Sequence, residues 1–281
     1  MNNALNSRNG HAAESDISLI DAYDRWFEVV PAKTFSLVNQ VHRLRYQVYC
    51  IENSFEDPKH HRDGMERDDY DDRSVHSLLV DRTTGALAGT VRLILPAQTP
   101  SKSFPIQNLC KSSLLSDPRL FFEGRAAEIS RFCISKEFRQ KARESLLQSE
   151  TQAHHSNPAI EKQLLMPCIT LGLMKAIVQM SAENGVTDWF AVMEPPLLRL
   201  LTRFGIYFKP IGPLVEYHGM RQPCYENVEG ILARIKTERQ DVWDVITDDG
   251  RLLEQLRRKV KATPIRQRRI LSHGDTISHY A

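Results

Sequence analysis

Apolar and polar positions along the chain switch between a two-residue and a helical period, and the switches mark out its elements. Residues 26–30 form a short apolar run closed by Pro31, which predicts a first strand. From Thr34, suited to capping a helix, Phe35, Val38, Val41, Leu44, Tyr46 and Val48 recur near helical spacing. This predicts a helix to about Tyr49 with Arg43 and Arg45 near its C-terminal end. A polar loop, 52–72, ends in the acidic cluster Glu66-Arg67-Asp68-Asp69-Tyr70-Asp71-Asp72. Residues 75–80 and 87–95, joined through Thr83-Thr84-Gly85, read as a hairpin. The connection 96–124 is long, with one short helix near 106–109, and loops of that length are usually functional or misassigned.

The strand predicted next, Glu128-Ile129-Ser130-Arg131-Phe132, organises the rest, with 121–125 leading in and Cys133-Ile134 leading out. Alternation puts Glu128, Ser130 and Phe132 on one face and Ile129, Arg131 and Cys133 on the other. Charges inside a sheet cost several kcal/mol unless paired or chemically needed. Only a bulge would bring Glu128 and Arg131 to one side. Residues 136–161 are polar and basic and read as a loop or loose helix. Residues 164–183 are apolar nearly all round and stop at Asn184-Gly185, which predicts a helix buried against the sheet. A short apolar strand, 188–193, is broken by Glu194-Pro195-Pro196; a brief helix, 197–204, stops at Gly205. Strands at 207–211 and 214–217 and a charged helical region, 227–261, complete the chain. The order predicts a mixed α/β (α+β) sheet with an antiparallel middle and a later strand-helix-strand crossover, either of the N-acetyltransferase type or of another kind.

Composition narrows the classes. Apolar residues at 41% and charged residues at 26% suit a soluble globular protein, and a net charge of +2 is too small to suggest a nucleic-acid binder. The five cysteines are scattered without a CxxC, which favours buried free thiols in a reducing compartment. Residues 1–16 are polar and lack the core of a signal peptide, and no run is expected to reach the roughly 20 apolar residues of a membrane span. The expected location is cytoplasmic. His60-His61 and His154-His155 read as polar loop pairs and no metal is expected; Cys133 reads as core.

Charged residues at fixed spacings on separate elements carry the chemistry. Arg45 is followed by Tyr49 and Phe55; Asp63 to Asp71 reads D-G-x-E-x-D-x-Y-D; Arg92 lies on the hairpin's second strand; Glu128 and Arg131 follow. These residues resemble the acyl-homoserine lactone synthases, a branch of the GNAT superfamily (the acyl-CoA N-acyltransferase fold), and the related N-acyl amino acid synthases. That family has an Arg-x-x-x-Phe element leading to a Trp, an E-x-D-x-x-D trio, an arginine from the hairpin, and an E-x-S-R-F strand. Arg45, Glu66, Asp68, Asp71, Arg92, Glu128 and Arg131 fall on those positions, while Tyr49 and Phe55 replace the Phe and Trp. The resemblance covers 45 to about 212. From 26 to about 251 the chain is similar to acyltransferases that accompany exosortase and PEP-CTERM sorting systems in bacteria.

The resemblance implies an N-acyltransferase domain at 18–225, after a disordered 1–17 and before a helical extension, 226–281, with a basic tail. It implies Glu128 and Arg131 as catalytic residues, and Arg45, Tyr49, Phe55, Glu66, Asp68, Asp71, Arg92, Ser130, Phe132 and Val192 around the substrates. The aromatic replacements stand where lactone synthases hold S-adenosylmethionine and point to another amine, an amino acid or its derivative. No cofactor is expected to be tightly bound; the co-substrate is acyl carrier protein or coenzyme A carrying a fatty acyl group. A nucleotide-binding Gln/Arg-x-x-Gly-x-Gly/Ala loop is missing after the central strand, which favours the carrier protein, met by Arg139, Lys141 and Arg143. Chemically, a carboxylate such as Glu128 can take the amine's proton, the acidic trio can attract a cationic amine, and the donor's arm can pair with the edge of strand 188–193. Plainer readings stand beside these: a solvated acidic loop, a structural Glu128–Arg131 pair, and a solvated tail. A catalytically silent acyl-carrier or acyl-amine sensor, or transfer to a protein or surface-polymer amine, would use the same residues.

Overall fold

The computed structural model describes residues 17–97, 103–122, 124–149 and 158–262. The expectations for 1–16, for His154-His155 and for the basic tail past Ala262 fall outside them. Among the described residues eight strands, β1 (Phe27–Pro31), β2 (Ser74–Asp81), β3 (Leu87–Ile94), β4 (Ala126–Ile134), β5 (Asp188–Met193), β6 (Lys209–Pro210), β7 (Val215–Glu216) and β8 (Met220–Asn227), form one sheet in the order β1-β2-β3-β4-β5-β8-β6, with β7 paired to β8. All neighbours are antiparallel except β4 and β5. This is the mixed, mostly antiparallel sheet flanked by helices that the sequence predicts.

Helix α1 (Leu19–Trp26) is an element the pattern did not yield. Ser18 caps it, accepting from the Asp21 N–H at 3.1 Å, and it buries Ala22 and Tyr23 before the chain enters β1 (Phe27–Pro31). Thr34 caps helix α2 (Phe35–Tyr46) as expected, accepting from the Leu37 N–H at 3.3 Å. The hairpin is β2 (Ser74–Asp81) and β3 (Leu87–Ile94). Within the long connection α3 (Ile106–Leu109) lies where predicted, but 118–122 is helix α4 (Pro118–Phe122), with proline at its start, so no strand leads into β4 (Ala126–Ile134) before Ala126.

Of the loop or loose helix expected at 136–161, the helix is realised as α5 (Lys136–Ser149), whose Phe138 joins the core. Helix α6 (Pro158–Asn184) crosses the back of the sheet. Contrary to the sequence expectation, Ile160–Asn184 is long and apolar enough for a membrane span by composition, with mean hydropathy 1.5, yet 72% of its most apolar window is buried inside the protein. It is the core helix against which the sheet packs. Strand β5 (Asp188–Met193) is as predicted, followed by α7 (Pro195–Thr202).

The last strands differ most. β6 (Lys209–Pro210) and β7 (Val215–Glu216) are stubs, and the main partner of β5 is β8 (Met220–Asn227), which the sequence reading left out. Its residues MRQPCYEN are mostly polar and include a proline, so neither apolar content nor alternation marks it. Helices α8 (Val228–Glu238), α9 (Gln240–Thr247) and α10 (Arg251–Ala262) add Ile231, Leu232, Trp243, Leu252 and Leu256 to the core cluster that holds α6.

Gly89 on β3 allows β4 to lie close. A Cβ there would stand 2.6 Å from the Cys133 carbonyl oxygen, a backbone atom that cannot swing away. Gly89→Ala is therefore expected to cost about 1–3 kcal/mol. A urea titration should show a lower midpoint at unchanged slope, and an unchanged midpoint would contradict the close approach.

Candidate functional site

Strand β4 holds the site together through one bulge. Thr90 pairs with Cys133 and Arg92 with Ser130, so Val91 alone on β3 faces two residues, Arg131 and Phe132, on β4. Arg131 adopts φ 49°, the left-handed conformation that a non-glycine residue takes only when its surroundings enforce it. The extra residue inverts the alternation beyond it. Cys133 packs on the α2 side with Val41 and Leu44, whereas Ile129 and Phe132 pack into the α6 core. Glu128, Ser130, Arg131 and Cys133 thus share the front face, and Phe132 joins Ile129 behind, opposite to strict alternation.

On that face three guanidiniums and three carboxylates close a ring. Arg45 donates from Nε to Glu66 and from Nη1 to Asp71 at 2.6 Å. Arg92 donates from Nη1 to Asp71 at 2.7 Å and to Asp68 at 2.6 Å. Arg131 donates from Nη2 to Asp68 at 3.1 Å and to Glu66 at 2.8 Å. Each charge therefore meets two of opposite sign, and Arg92 Nε also donates to the Ser130 hydroxyl at 2.8 Å. Arg45, Arg92 and Glu66 are at most 1% exposed. Burial alone would raise the Glu66 pKa, but Arg45 and Arg131 outweigh it and hold it at about 2. Asp68 and Asp71 are likewise held low against burial by their arginines. All three carboxylates of the acidic trio are thus paired with Arg45, Arg92 and Arg131. Three charges against three leave the ring neutral, so it exerts little net pull on a cation from outside.

Glu128 stands beside the ring rather than in it. It is 3% exposed, opposite Ile94 and Phe190 in the ladder, and Oε2 accepts from the Ile106 N–H at 2.9 Å, at the start of α3. Around it Ile94, Phe104, Ile106, Phe121 and Phe190 form an apolar cluster, with Val192 at its margin. Burial raises its pKa to about 7, although the Ile106 N–H, Arg92 and Arg131 all favour the ionised form. One residue further, the β4–β5 ladder stops at Ile129↔Ala191, while β4 continues to Ile134 and β5 to Met193. The other edge of β5 is filled by β8 along all of Asp188–Met193, so an added strand can meet β5 only past Ala191, on the edge that faces β4. The opening lies where β4 and β5 part.

The mouth of the site is aromatic. After α2 the chain widens into a π-helical turn, Gln47–Glu52, and Asn53 donates to the Val48 carbonyl at 2.7 Å. The Arg131 guanidinium sits 5.0 Å above the Tyr49 ring, and Phe55 lies 6.1 Å from Tyr49 and 5.9 Å from His218. His218, Glu56 and Arg221, whose guanidinium is 5.6 Å from the Phe55 ring, were not singled out from the sequence; they reach the site across long stretches of chain.

His42 and His76 were also missed. With Asp71 they place possible ligand atoms within 4.8 Å of one another, and His42 Nε2 and His76 Nδ1 are buried without hydrogen-bond partners among the described residues. The cluster is a poor fit to a metal ion, because both Asp71 oxygens already accept from arginines. Burial, then Arg45, lowers both imidazole pKa values, that of His76 to about 3, so both rings stay neutral. Cys133 is buried with its pKa raised to about 12, which suits core rather than nucleophile, and all five cysteines are buried free thiols.

Residues 44–149 match the family model described as "Acetyltransferase (GNAT) domain", a segment that contains the whole ring and Glu128. No curated protein matches the sequence. Among solved structures, TofI in a ternary complex with an inhibitor and MTA is 21% identical, covering 78% of this chain and 96% of that one at TM-score 0.48. The CoA-dependent acyl-homoserine lactone synthase BjaI, with MTA, is 19% identical, covering 81% and 89% at 0.46. FeeM, an N-acyl amino acid synthase from uncultured soil microbes, is 14% identical, covering 74% and 94% at 0.43.

Proposed function

We propose that the protein is an N-acyltransferase that moves a fatty acyl group from a carrier thioester to the amine of a small metabolite, an amino acid or a derivative of one. The observation that carries this reading is the end of the β4–β5 ladder one residue past Glu128, a carboxyl whose pKa lies near 7. An extended thioester arm can pair with the unpaired edge of β4 from Ser130 onward, which brings its carbonyl to the face that holds Glu128 and Arg131. The GNAT match over 44–149 supports acyl transfer as the reaction class.

Acyl transfer to an amine joins nitrogen to the thioester carbon and then breaks the carbon–sulfur bond. Glu128, directly or through a water, takes the proton that the nitrogen loses and returns it to the departing thiolate. A base with a pKa near 7 suits this work at neutral pH. Arg131 donates from Nε and Nη2 to the ring, and no hydrogen bond from its Nη1 is found among the described residues, so Nη1 can turn to the developing oxyanion. The ring fixes both Arg131 and, through Arg92, the Ser130 hydroxyl; this positioning replaces the role of cation attractor that the sequence suggested.

Acyl carrier protein is favoured over coenzyme A as donor. The first N–H groups of α5, a natural seat for a pyrophosphate, already donate to the Glu52 carboxylate, at 3.0 Å from Lys136 and 3.4 Å from Glu137. Exposed Lys141 and Arg143 on the same helix can meet an acidic carrier. Such a donor fits a cytoplasmic location. The purified protein, given dodecanoyl carrier protein or dodecanoyl coenzyme A with a pool of amines, is expected to release thiol only when amine is present and faster from the carrier. Thiol release that ignores the amines would overturn the reading. Carrier binding without any release would instead favour a sensor.

A further inference from the structure

The ring is closed and neutral, so whatever recognises the acceptor's charge must lie outside it. Glu56 is the carboxylate placed to do so. Its oxygen Oε1 lies 3.6 Å from Arg131 Nη2 and 3.7 Å from His218 Nε2, both beyond hydrogen-bond length, and its side chain is 27% exposed. Among the described residues no hydrogen bond reaches its carboxylate, whereas each ring carboxylate accepts several.

The backbone around Glu56 is held firmly. Both the Phe55 and Glu56 N–H groups donate to the Tyr49 carbonyl, at 2.8 and 3.2 Å, and tie the segment to the π-helical turn. Across the mouth His218 sits in the turn between β7 and β8 at φ 51°, beside Gly219 at φ 93°. Arg221 fixes that turn by donating to the Tyr217 carbonyl at 3.1 Å and the His218 carbonyl at 2.9 Å, while its Nη1 pairs with Glu194. Tyr49, Phe55 and His218 therefore form a wall of rings with one underused carboxylate at its edge, next to Arg131.

We infer that Glu56 selects a cationic primary amine as acceptor, its carboxylate taking the ammonium while the amine's apolar part lies on Phe55 and Tyr49; the assignment rests on the acyltransferase reading above. An ammonium carries three donors on a compact charge, and two of them can replace the long Arg131 and His218 contacts with charge-assisted hydrogen bonds. An alcohol of the same shape gains no ionic partner there, so the site separates amines from alcohols before any chemistry occurs. The bound ammonium gives one proton to solvent to become the nucleophile, and the second, lost as the amide forms, passes through Glu128 to the departing thiolate.

Phenethylamine and 2-phenylethanol share one shape and differ in charge, so they serve as probes. Calorimetry on the full-length protein at neutral pH is expected to show phenethylamine binding and the alcohol at least about tenfold weaker. Glu56→Gln, which keeps the side chain's size, should weaken phenethylamine by about tenfold and leave the alcohol's affinity and the urea midpoint where they were. Equal amine binding by the variant and the native protein, or no amine binding by the native protein, overturns the assignment. The binding arms need no turnover: amine selection without thiol release would sink the acyltransferase reading and keep Glu56, and amine-dependent release unchanged by Glu56→Gln would do the reverse.

Discussion

Glu128→Gln is expected to lower amine-dependent thiol release by about 10²–10⁴-fold, the range that general acid–base groups contribute. Glutamine has the carboxylate's shape, and its carbonyl oxygen can still accept from the Ile106 N–H, so the apolar cluster of Ile94, Phe104 and Phe190 should keep its packing. What it loses is the capacity to take a proton. In the native protein the active form is the carboxylate, and burial has raised its pKa from 4.5 to about 7, so turnover should rise with pH and level off above about 7. Stability should run the other way. A carboxyl whose folded pKa is raised favours the folded state fully below 4.5 and loses that contribution as pH rises through about 7. The glutamine variant lacks both trends, so its urea midpoint should respond less to pH over that window. Turnover within twofold of native would remove Glu128 from the chemistry and leave it as a buried acid beside the ring.

Arg45→Met carries the second large effect, and it falls on stability. Arg45 is fully buried and joins Glu66 to Asp71, so its loss leaves the buried Glu66 and the largely buried Asp71, 10% exposed, each short of a partner. Breaking a buried pair in this way costs about 3–5 kcal/mol. The deficit should depend on pH. The Glu66 pKa is depressed from 4.5 to about 2, so its stabilising contribution is present above 4.5 and lost as pH falls through about 2. The gap between native and variant should therefore be widest near neutral pH and shrink toward pH 2. Arg45→Lys should recover only part of it, because one ammonium cannot reproduce a fork that reaches both Glu66 and Asp71. A loss below about 1 kcal/mol that is equal at both pH values would mean that the ring is not what holds α2 to the acidic loop.

Much of the fold was legible because local chemistry announces it. Thr34 before an amphipathic run, Gly85 in the hairpin turn and Asn184-Gly185 after an apolar helix each mark a boundary, and Asp188–Met193 is apolar enough to be a strand in any context. Strand β8 was not legible, because its stability comes from pairing with β5 and β6 rather than from its own residues. The site divided in the same way. The seven charges of the ring and Glu128 show in the spacing of the sequence, since each must leave its own element at a fixed place. The closure of the ring does not show, because it depends on a bulge centred on Arg131, where no glycine betrays the left-handed backbone. Glu56, His218 and Arg221 were hidden for a simpler reason: exposed-looking residues in polar loops acquire a role only when distant segments fold together. The neutrality of the ring emerged only from the count of its partners, and it moves recognition of charge from the acidic trio to the mouth.

The most direct test of the central claim is mass spectrometry of lipids extracted from cells that express either the native protein or Glu128→Gln at equal levels. Native expression is expected to yield a new lipid whose fragments are a fatty acyl chain and an amine joined by an amide, absent with the variant. The same lipid at equal abundance in both extracts, or an acyl chain joined through oxygen, would contradict the account.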